Sequence, residues 1–221
     1  MYWESINFVL FKKAYNRLKN HTAIRPSIAG INLIGEKVIL REKKLEDAVE
    51  DYVWRRDSEL SELDATRPIS MSFTDYHRYT REELRYDSYY SVRLAVDTLD
   101  GTHIGNCMYY DINDRRLEAE LGIMIGNRDY WSQGYGSDAV KTLIDYVFSY
   151  THLTKIYLHT LEGNLRARRS FEKSGLIEIR KVKRSGKSFV RMEIIKEDWL
   201  DCGQKKQEGP QPEESISRKP S

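Results

Sequence analysis

Two glycines in residues 131–138 have a spacing that suits a phosphate-binding turn. The segment reads Trp-Ser-Gln-Gly-Tyr-Gly-Ser-Asp and lies between a predicted strand and a predicted helix. Glycine lets the backbone approach a ligand closely and adopt a positive φ, and the first N–H groups of a helix favour an anion. Ser137 or Asp138 is the expected cap of that helix. Because an ordinary strand-to-helix turn can also contain two glycines, this segment alone leaves ligand binding open.

Other phosphate-binding motifs fit the sequence poorly. The residue three positions past Gly136 is Ala139 in place of the glycine of the dinucleotide fingerprint, which is a tolerable variant. The preceding strand, however, belongs to an antiparallel meander instead of opening a parallel βαβ unit. The chain contains no Gly-Lys-Ser/Thr sequence of the Walker type. Nucleoside triphosphate hydrolysis is therefore unsupported.

Two carboxylates, Glu118 and Glu120, lie near the start of a predicted strand. Side chains two apart on a strand point to the same face, so the pair can attract a cation. The alternative is that both simply face solvent. His103 and His159 are isolated on other predicted strands, and we expect them to be packing or surface residues.

The hydrophobic pattern supplies the elements that must position these residues. Asp100-Gly101 between two apolar runs is a strong hairpin signal. The order is an antiparallel meander followed by a βαβ unit and a last hairpin, which predicts an α/β (α+β) fold with a mixed, mostly antiparallel central sheet and helices on both faces. The predicted strands are residues 38–41, 91–97, 103–111, 117–125, 155–161, 176–183 and 188–195, and the predicted helices are residues 45–56, 73–86, 137–150 and 165–174.

The ends of the chain differ from its middle. Residues 1–34 form an N-terminal extension with a pattern compatible with an amphipathic helix, which would pack on the domain, on a second subunit or on a membrane surface. Residues 36–200 form the domain. Residues 201–221 are rich in Gly, Pro, Ser, Glu and Lys, and we expect a disordered tail.

Composition excludes several classes of partner. The chain has 36 basic and 34 acidic residues, so no basic excess is available for nucleic acid. No apolar run approaches the roughly 18 residues that cross a bilayer, and the start lacks a signal-peptide pattern. Cys107 and Cys202 are far apart and without metal-ligand spacing, so we expect no metal and a reducing, cytoplasmic location.

Three segments, taken together, are more specific than the glycine pair. They are Glu-Ala-Glu-Leu-Gly-Ile-Met-Ile-Gly from residue 118, Tyr-Trp-Ser-Gln-Gly-Tyr-Gly-Ser from residue 130, and Asn-Leu-Arg-Ala-Arg-Arg-Ser-Phe-Glu-Lys-Ser-Gly-Leu from residue 164. In this order and spacing the chain resembles the GNAT family of N-acetyltransferases over residues 36–200. It is most similar to the branch that contains ribosomal-protein N-terminal acetyltransferases and spermidine acetyltransferases.

The resemblance implies acetyl-CoA as co-substrate, with no metal. The backbone of residues 123–125 would pair with the pantetheine arm, the amides of residues 133–137 would hold the pyrophosphate, and Asn164 would bind pantetheine or steer the cofactor. Cations near the 3′-phosphate would include Arg168, although a solvated helix face is the alternative. The implied cofactor-binding residues are Ile123, Met124, Ile125, Gln133, Gly134, Tyr135, Gly136, Ser137, Asn164, Arg169, Phe171 and Lys173.

The resemblance also implies a catalytic residue. Glu120 would assist the loss of a proton from the amine, and a strand amide in residues 123–125 would polarise the thioester carbonyl. The tyrosine that the family often uses as general acid corresponds here to Phe171, which has no proton to give. Ser170, Tyr157 or a water could replace it, and the sequence does not choose among them.

The implied function is acetyl transfer from acetyl-CoA to a primary amine. The acceptor could be a protein N-terminal α-amine, a polyamine or another small amine. The alternative is a non-catalytic CoA-binding regulatory or protein-interaction module on the same fold. The acceptor pocket should come from the two early helices, residues 87–90 and the last hairpin. A homodimer is compatible with this interpretation.

Overall fold

A computed structural model describes residues 30–85, 88 and 90–207. Its strands are β1 Asn32–Ile34, β2 Val38–Glu42, β3 Ser91–Thr98, β4 His103–Asn113, β5 Glu118–Ile125, β6 Lys155–Leu161, β7 Ile177–Arg184 and β8 Lys187–Ile195. Its α-helices are α1 Ala48–Arg56, α2 Ser58–Leu63, α3 Phe73–Leu84, α4 Tyr135–Tyr150, α5 Leu165–Lys173 and α6 Lys196–Gln207.

The strands form one sheet of eight in the order β1-β2-β3-β4-β5-β6-β8-β7. Neighbouring strands are antiparallel except β5 and β6, which are parallel. α4 is the crossover between them, which accounts for the parallel direction. The predicted mixed, mostly antiparallel sheet is confirmed.

Alternation along β4 shows that helices cover both faces. Cys107 is buried in the core that includes Leu143 of α4, and burial raises the pKa of its thiol to about 12. The neighbouring Asn106 donates to Asp51 of α1 at 2.6 Å. Since successive strand residues point to opposite faces, α4 and α1 lie on opposite sides of the sheet.

A buried polar cluster fastens α1 to the sheet. Asp51 accepts from Asn106, Lys43 and His103. Although its burial favours the neutral acid, the hydrogen bond from His103 and the charge of Lys43 hold the pKa of Asp51 below its usual value. His103 also contacts Asp97 at 3.0 Å. It is therefore not isolated, as its position in the sequence suggested, but bridges two carboxylates.

Two elements extend past the predicted domain of residues 36–200. The sheet begins at Asn32, within the segment assigned to the extension, because β1 pairs with β2. The chain is helical through Gln207, so residues 201–207 belong to α6 and not to a disordered tail. Residues 1–29 and 208–221 lie outside the described residues, as do Tyr86 and Asp87 of the expected acceptor pocket.

Candidate active site

A wedge opens between β5 and β6. Their pairing stops at Glu120 and Tyr157, although both strands are fully described and continue further. β5 stays paired with β4 as far as Ile125, and β6 stays paired with β8 as far as Leu161. The edge of β5 beyond Glu120 therefore faces a gap that another extended chain can fill.

The register decides which backbone groups point into the wedge. Gly126 N donates to Ile104 O at 2.9 Å, so even-numbered residues of β5 bond to β4 and odd-numbered residues face β6. The N–H groups of Ile123 and Ile125 thus point into the wedge. Met124 is the even-numbered residue between them, so its backbone groups point to Asn106 of β4. Its cofactor contact stays a prediction.

Trp131 covers part of this edge. Its Nε1 donates to Ile125 O at 2.6 Å, so that carbonyl is already occupied. The guanidinium of Arg166, from the first turn of α5, lies 3.3 Å from the centre of the Trp131 ring, and burial lowers the pKa of Arg166. This cation–π contact joins the loop before α4 to α5, and no pattern in the sequence predicted it.

The N-terminus of α4 offers backbone amides to an anion. Gly134 has a φ of 93° and is the N-cap residue, and as a glycine it has no side chain with which to cap the helix. The first intrahelical donor is Asp138 N, to Gly134 O at 2.9 Å, so the N–H groups of Tyr135, Gly136 and Ser137 have no acceptor within the helix. The geometry fits a phosphate.

Neither predicted cap of α4 acts as one. Ser137 Oγ lies 2.9 Å from Ser170 Oγ in the contact between α4 and α5. Asp138 is buried and accepts from the backbone N–H groups of Glu36, Lys37 and Val38 at 3.1, 2.7 and 3.0 Å. It fastens the turn between β1 and β2 to the helix.

Two other loop side chains predicted at the site make internal contacts. Gln133 Nε2 donates to Asp129 O. The ring of Tyr135 packs edge-on against Tyr130 with centroids 5.0 Å apart. Lys37, which the sequence did not suggest, places its Nζ 5.4 Å from the centre of the Tyr135 ring and adds a positive charge beside the loop.

Asn164 and Phe171 of the third motif have structural roles in this chain. Asn164 caps α5, with Oδ1 accepting from Ala167 N at 3.2 Å. Phe171 is 7% exposed and packs in the hydrophobic core. Asn164 also lines a cleft beside the wedge, whereas Phe171 supports α5 from beneath.

Besides Arg166, α5 carries three cations that differ from one another. Arg168 donates to Glu178 at 2.8 Å and to Glu162 O at 3.2 Å, so it ties α5 to β7 and the preceding loop. Arg169 and Lys173 are exposed. A role of either in phosphate binding stays a prediction.

Glu120 is the buried acid beside the wedge. Its side chain is 12% exposed, and Oε1 lies 2.8 Å from His159 Nδ1 of β6. The hydroxyl of Tyr110 is also hydrogen-bonded to Glu120, and burial together with this negative charge raises the tyrosine pKa. His159 is thus not isolated, contrary to the sequence interpretation, since it contacts Glu120.

Glu118 shares the face of Glu120 but has different neighbours. Its side chain is 9% exposed and lies 3.5 Å from Arg116, 3.6 Å from Lys155 and 3.8 Å from Arg191. The interpretation in which both glutamates face solvent is therefore wrong. Three cations surround Glu118, so its charge is largely offset locally.

The hydroxyls considered as general acids also have partners. Tyr157 donates to Asp111 at 3.2 Å, and burial and the nearby Glu120 raise its pKa. Ser170 is the serine in contact with Ser137.

A cleft of about 650 Å³ lies next to the wedge. α2 contributes Glu59 and Glu62, and the loop after β6 contributes Glu162 opposite them. Lys187 is the basic residue of its lining. Glu59 is paired with Arg128 at 2.8 Å and Glu162 with Lys181 at 2.6 Å, so much of the negative charge around this opening is offset locally.

Part of the expected acceptor pocket is packed inside the protein. Trp54 is 8% exposed, and its ring lies against His103 with centroids 5.1 Å apart. Tyr76 packs on Tyr52 at 5.4 Å. Asp57 forms an ion pair with Arg128 at 2.8 Å.

Within the described part of the chain, no group of three His, Cys, Asp or Glu side chains is arranged to hold a metal ion. Among the helices described, none is both long enough and apolar enough to span a membrane.

The open parallel pair suits an extended ligand arm, and the amides at the start of the following helix suit a phosphate. The family comparison agrees with this geometry. The family model described as the acetyltransferase (GNAT) domain matches residues 37–177. The chain belongs to the GNAT acetyltransferase family. It is an acetyl-CoA-dependent N-acetyltransferase.

Individual relatives are distant. The N-acetyltransferase p20 of Bacillus licheniformis is 29% identical over 157 residues, which are 66% of this chain and 84% of that protein. Spermidine N-acetyltransferase from Vibrio cholerae, in complex with CoA and spermine, has a TM-score of 0.65 at 22% identity over 74% of this chain and 98% of that one. An aminoglycoside acetyltransferase in complex with coenzyme A has a TM-score of 0.62 at 22% identity, with the same coverages.

Proposed function

We propose that this enzyme transfers an acetyl group from acetyl-CoA to a primary amine at the wedge between β5 and β6, with Glu120 as general base. The observation that carries the proposal is a buried carboxylate at the point where the two strands separate. The co-substrate brings an acetyl thioester, and the protein must hold it, position the amine and accept a proton.

The wedge and the α4 N-terminus suit the two parts of acetyl-CoA. The pantetheine arm contains amides that can bond to the inward-facing backbone groups of Ile123 and Ile125, as an added strand does. The pyrophosphate suits the N–H groups of Tyr135, Gly136 and Ser137. Lys37 adds a cation next to this turn.

The chemistry follows from these positions. An amine is protonated at neutral pH and must lose a proton before it attacks a carbonyl, and a carboxylate within reach directly or through one water assists that loss. The thioester oxygen becomes negative during attack, and the inward-pointing amide of Ile123 or Ile125 can stabilise it. Met124 is not suited to this role, because its amide lies in the β4 ladder.

Phe171 is compatible with this mechanism. Thiols have pKa values of about 8–9, so sulfur can leave as a thiolate without prior protonation. The hydroxyls of Tyr110 and Tyr157 keep their protons at neutral pH, because burial raises both pKa values. Either can return a proton by way of water.

The acceptor class is proposed from the charge of the cleft. Glu62 is an exposed acid of the lining, and a cationic acceptor can pair with it, so we favour a polyamine over a neutral amine. The spermine in the Vibrio cholerae relative is consistent with that choice. A protein N-terminal α-amine and other small amines are the competing acceptors.

The test is thiol release from acetyl-CoA against polyamines, peptides with free N-termini and small monoamines. We predict that Glu120→Gln lowers kcat by about a hundredfold or more, because the amide cannot accept the proton, and leaves acetyl-CoA affinity unchanged. Glu118→Gln is the matched control on the same strand face and should retain more of the rate. An unchanged rate in Glu120→Gln across pH 6–9 would remove Glu120 from the base role.

A further inference from the structure

His159 lies between the carboxylate of Glu120 and the guanidinium of Arg184. Its Nδ1 is 2.8 Å from Glu120 Oε1, and its Nε2 is 3.1 Å from Arg184 Nη2. The imidazole is 5% exposed, whereas Arg184 is exposed near the end of β7. The three residues come from β5, β6 and β7, so only the folded sheet brings them together.

Arg184 determines which ring nitrogen of His159 carries the hydrogen. A guanidinium has N–H donors and no acceptor, so His159 Nε2 must accept. In a neutral imidazole the other nitrogen then bears the hydrogen. Nδ1 therefore donates to Glu120.

This bond fixes the orientation of the Glu120 carboxylate. Tyr110 provides a second hydrogen bond from β4. A carboxylate offers about four lone-pair sites, so two bonds from the protein leave room for the amine or its water. A proton relay from Glu120 through the imidazole would have to continue from Nε2. That nitrogen already accepts the N–H group of Arg184, so a relay is not favoured.

We propose that His159 is a positioning residue that holds Glu120 for catalysis, and that Arg184 selects the His159 tautomer this needs. The inference rests on the proposed function in one respect, that Glu120 is the base. It assigns no proton transfer to His159. Among the described residues, the ring of Tyr157 lies 5.8 Å from the imidazole. Arg191 is the residue opposite His159 on β8, and Tyr110 bonds to the same Glu120 carboxylate.

The tautomer is measurable without turnover. The protein has five histidines, and comparison with His159→Asn assigns the ¹⁵N imidazole signals of this one. At pH 8 we expect the neutral Nδ1–H form in the wild type and a smaller preference for that form in Arg184→Met, because only the Glu120 carboxylate at Nδ1 then favours it. An Nε2–H imidazole in the wild type would overturn the proposal even if the enzyme acetylates amines as expected.

Kinetics of two substitutions test positioning. His159→Leu removes the donor, whereas His159→Asn keeps an N–H group at similar reach without an imidazole. We expect kcat to fall by about ten- to a hundredfold in His159→Leu and by less than about threefold in His159→Asn, with KM for acetyl-CoA unchanged in both. Equal losses in the two variants, or no loss in His159→Leu, would contradict a positioning role.

His103 provides the matched control. It is also a buried histidine between two carboxylates, Asp51 and Asp97, but it belongs to the cluster that fastens α1. His103→Asn should lower thermal stability and leave kcat unchanged. If Glu120→Gln keeps the wild-type kcat, the proposed function fails. If Glu120→Gln lowers kcat but His159→Leu does not, only the inference about His159 is overturned.

Discussion

At the residue scale, Glu120 depends on donors from two other strands. Strand alternation in the sequence predicts that Glu120 and Glu118 lie on the same strand face, and the GNAT resemblance implies that Glu120 is the base. His159, 39 residues away in sequence, was missed because strand register is a long-range property that no local pattern encodes. The same reason explains why His103 looked isolated.

Asp64, next to α2, is a carboxyl whose protonation affects stability. Its side chain is 33% exposed and lies 3.4 Å from Arg55. Desolvation by the surrounding protein outweighs that charge and raises the pKa of Asp64 from 3.8 to about 6. The folded state therefore binds more protons than the unfolded state between about pH 4 and 6, and the free energy of unfolding falls as pH rises through that window.

We predict that Asp64→Asn raises the free energy of unfolding at pH 7.5 by about 1 kcal/mol, because the amide carries no charge to desolvate. The effect is smaller than the pKa shift alone implies, since the partly exposed side chain is screened by water. Urea unfolding at pH 4 and 7.5 measures it, and the difference should nearly vanish at pH 4. A less stable variant at pH 7.5 would contradict the prediction.

At the element scale, the start of α4 depends on the turn between β1 and β2. Gly35 lies so close to α4 that an added Cβ would meet Asp138 Oδ2 at 2.6 Å and Thr142 Oγ1 at 2.5 Å. The carboxylate of Asp138 accepts three amides from the turn. This contact orders the helix whose first N–H groups are proposed to bind pyrophosphate.

Asp138→Ala should lower the free energy of unfolding by about 2–4 kcal/mol, because three backbone donors lose their acceptor in a partly buried setting. Asp145→Ala is the matched control on the same helix. Asp145 is exposed and accepts from Trp199 Nε1 at 2.5 Å, so its loss should cost below about 1 kcal/mol. Chemical denaturation measures the free energy of unfolding of both variants. Equal losses in the two would argue against the anchoring role of Asp138.

Most elements could be predicted from the sequence. The expected helix over residues 73–86 is α3 with Ser72 as its cap, accepting from Asp75 N at 3.2 Å. α2 has six residues and β1 has three, too few for a hydrophobic period to stand out. The wedge was expected only through the family resemblance, because the end of a strand pairing depends on register.

At the scale of the whole molecule, the proposed site lies inside one continuous sheet with its helices. Each residue assigned to it falls within residues 30–207, and the family model covers residues 37–177. The helical extension over residues 1–29 and the homodimer stay predictions.

We predict that deletion of residues 1–29 changes the Kd for acetyl-CoA and kcat by no more than about twofold, because none of the proposed contacts uses that segment. Calorimetry and thiol release on the shortened chain measure both. Loss of acetyl-CoA binding would make the extension part of the site.

The measurement that tests the central claim most directly is calorimetric titration of acetyl-CoA into the wild type, Gly134→Ala and Gly101→Ala. Both glycines have positive φ, 93° and 87°, and an added Cβ meets no atom closer than 3.6 Å at the first and nothing within 4 Å at the second. The two substitutions thus impose similar backbone strain, but only Gly134 precedes the α4 amides. The account predicts micromolar binding by the wild type and Gly101→Ala, and binding at least about tenfold weaker in Gly134→Ala. Absence of binding by the wild type, or equal affinities in all three proteins, would contradict it.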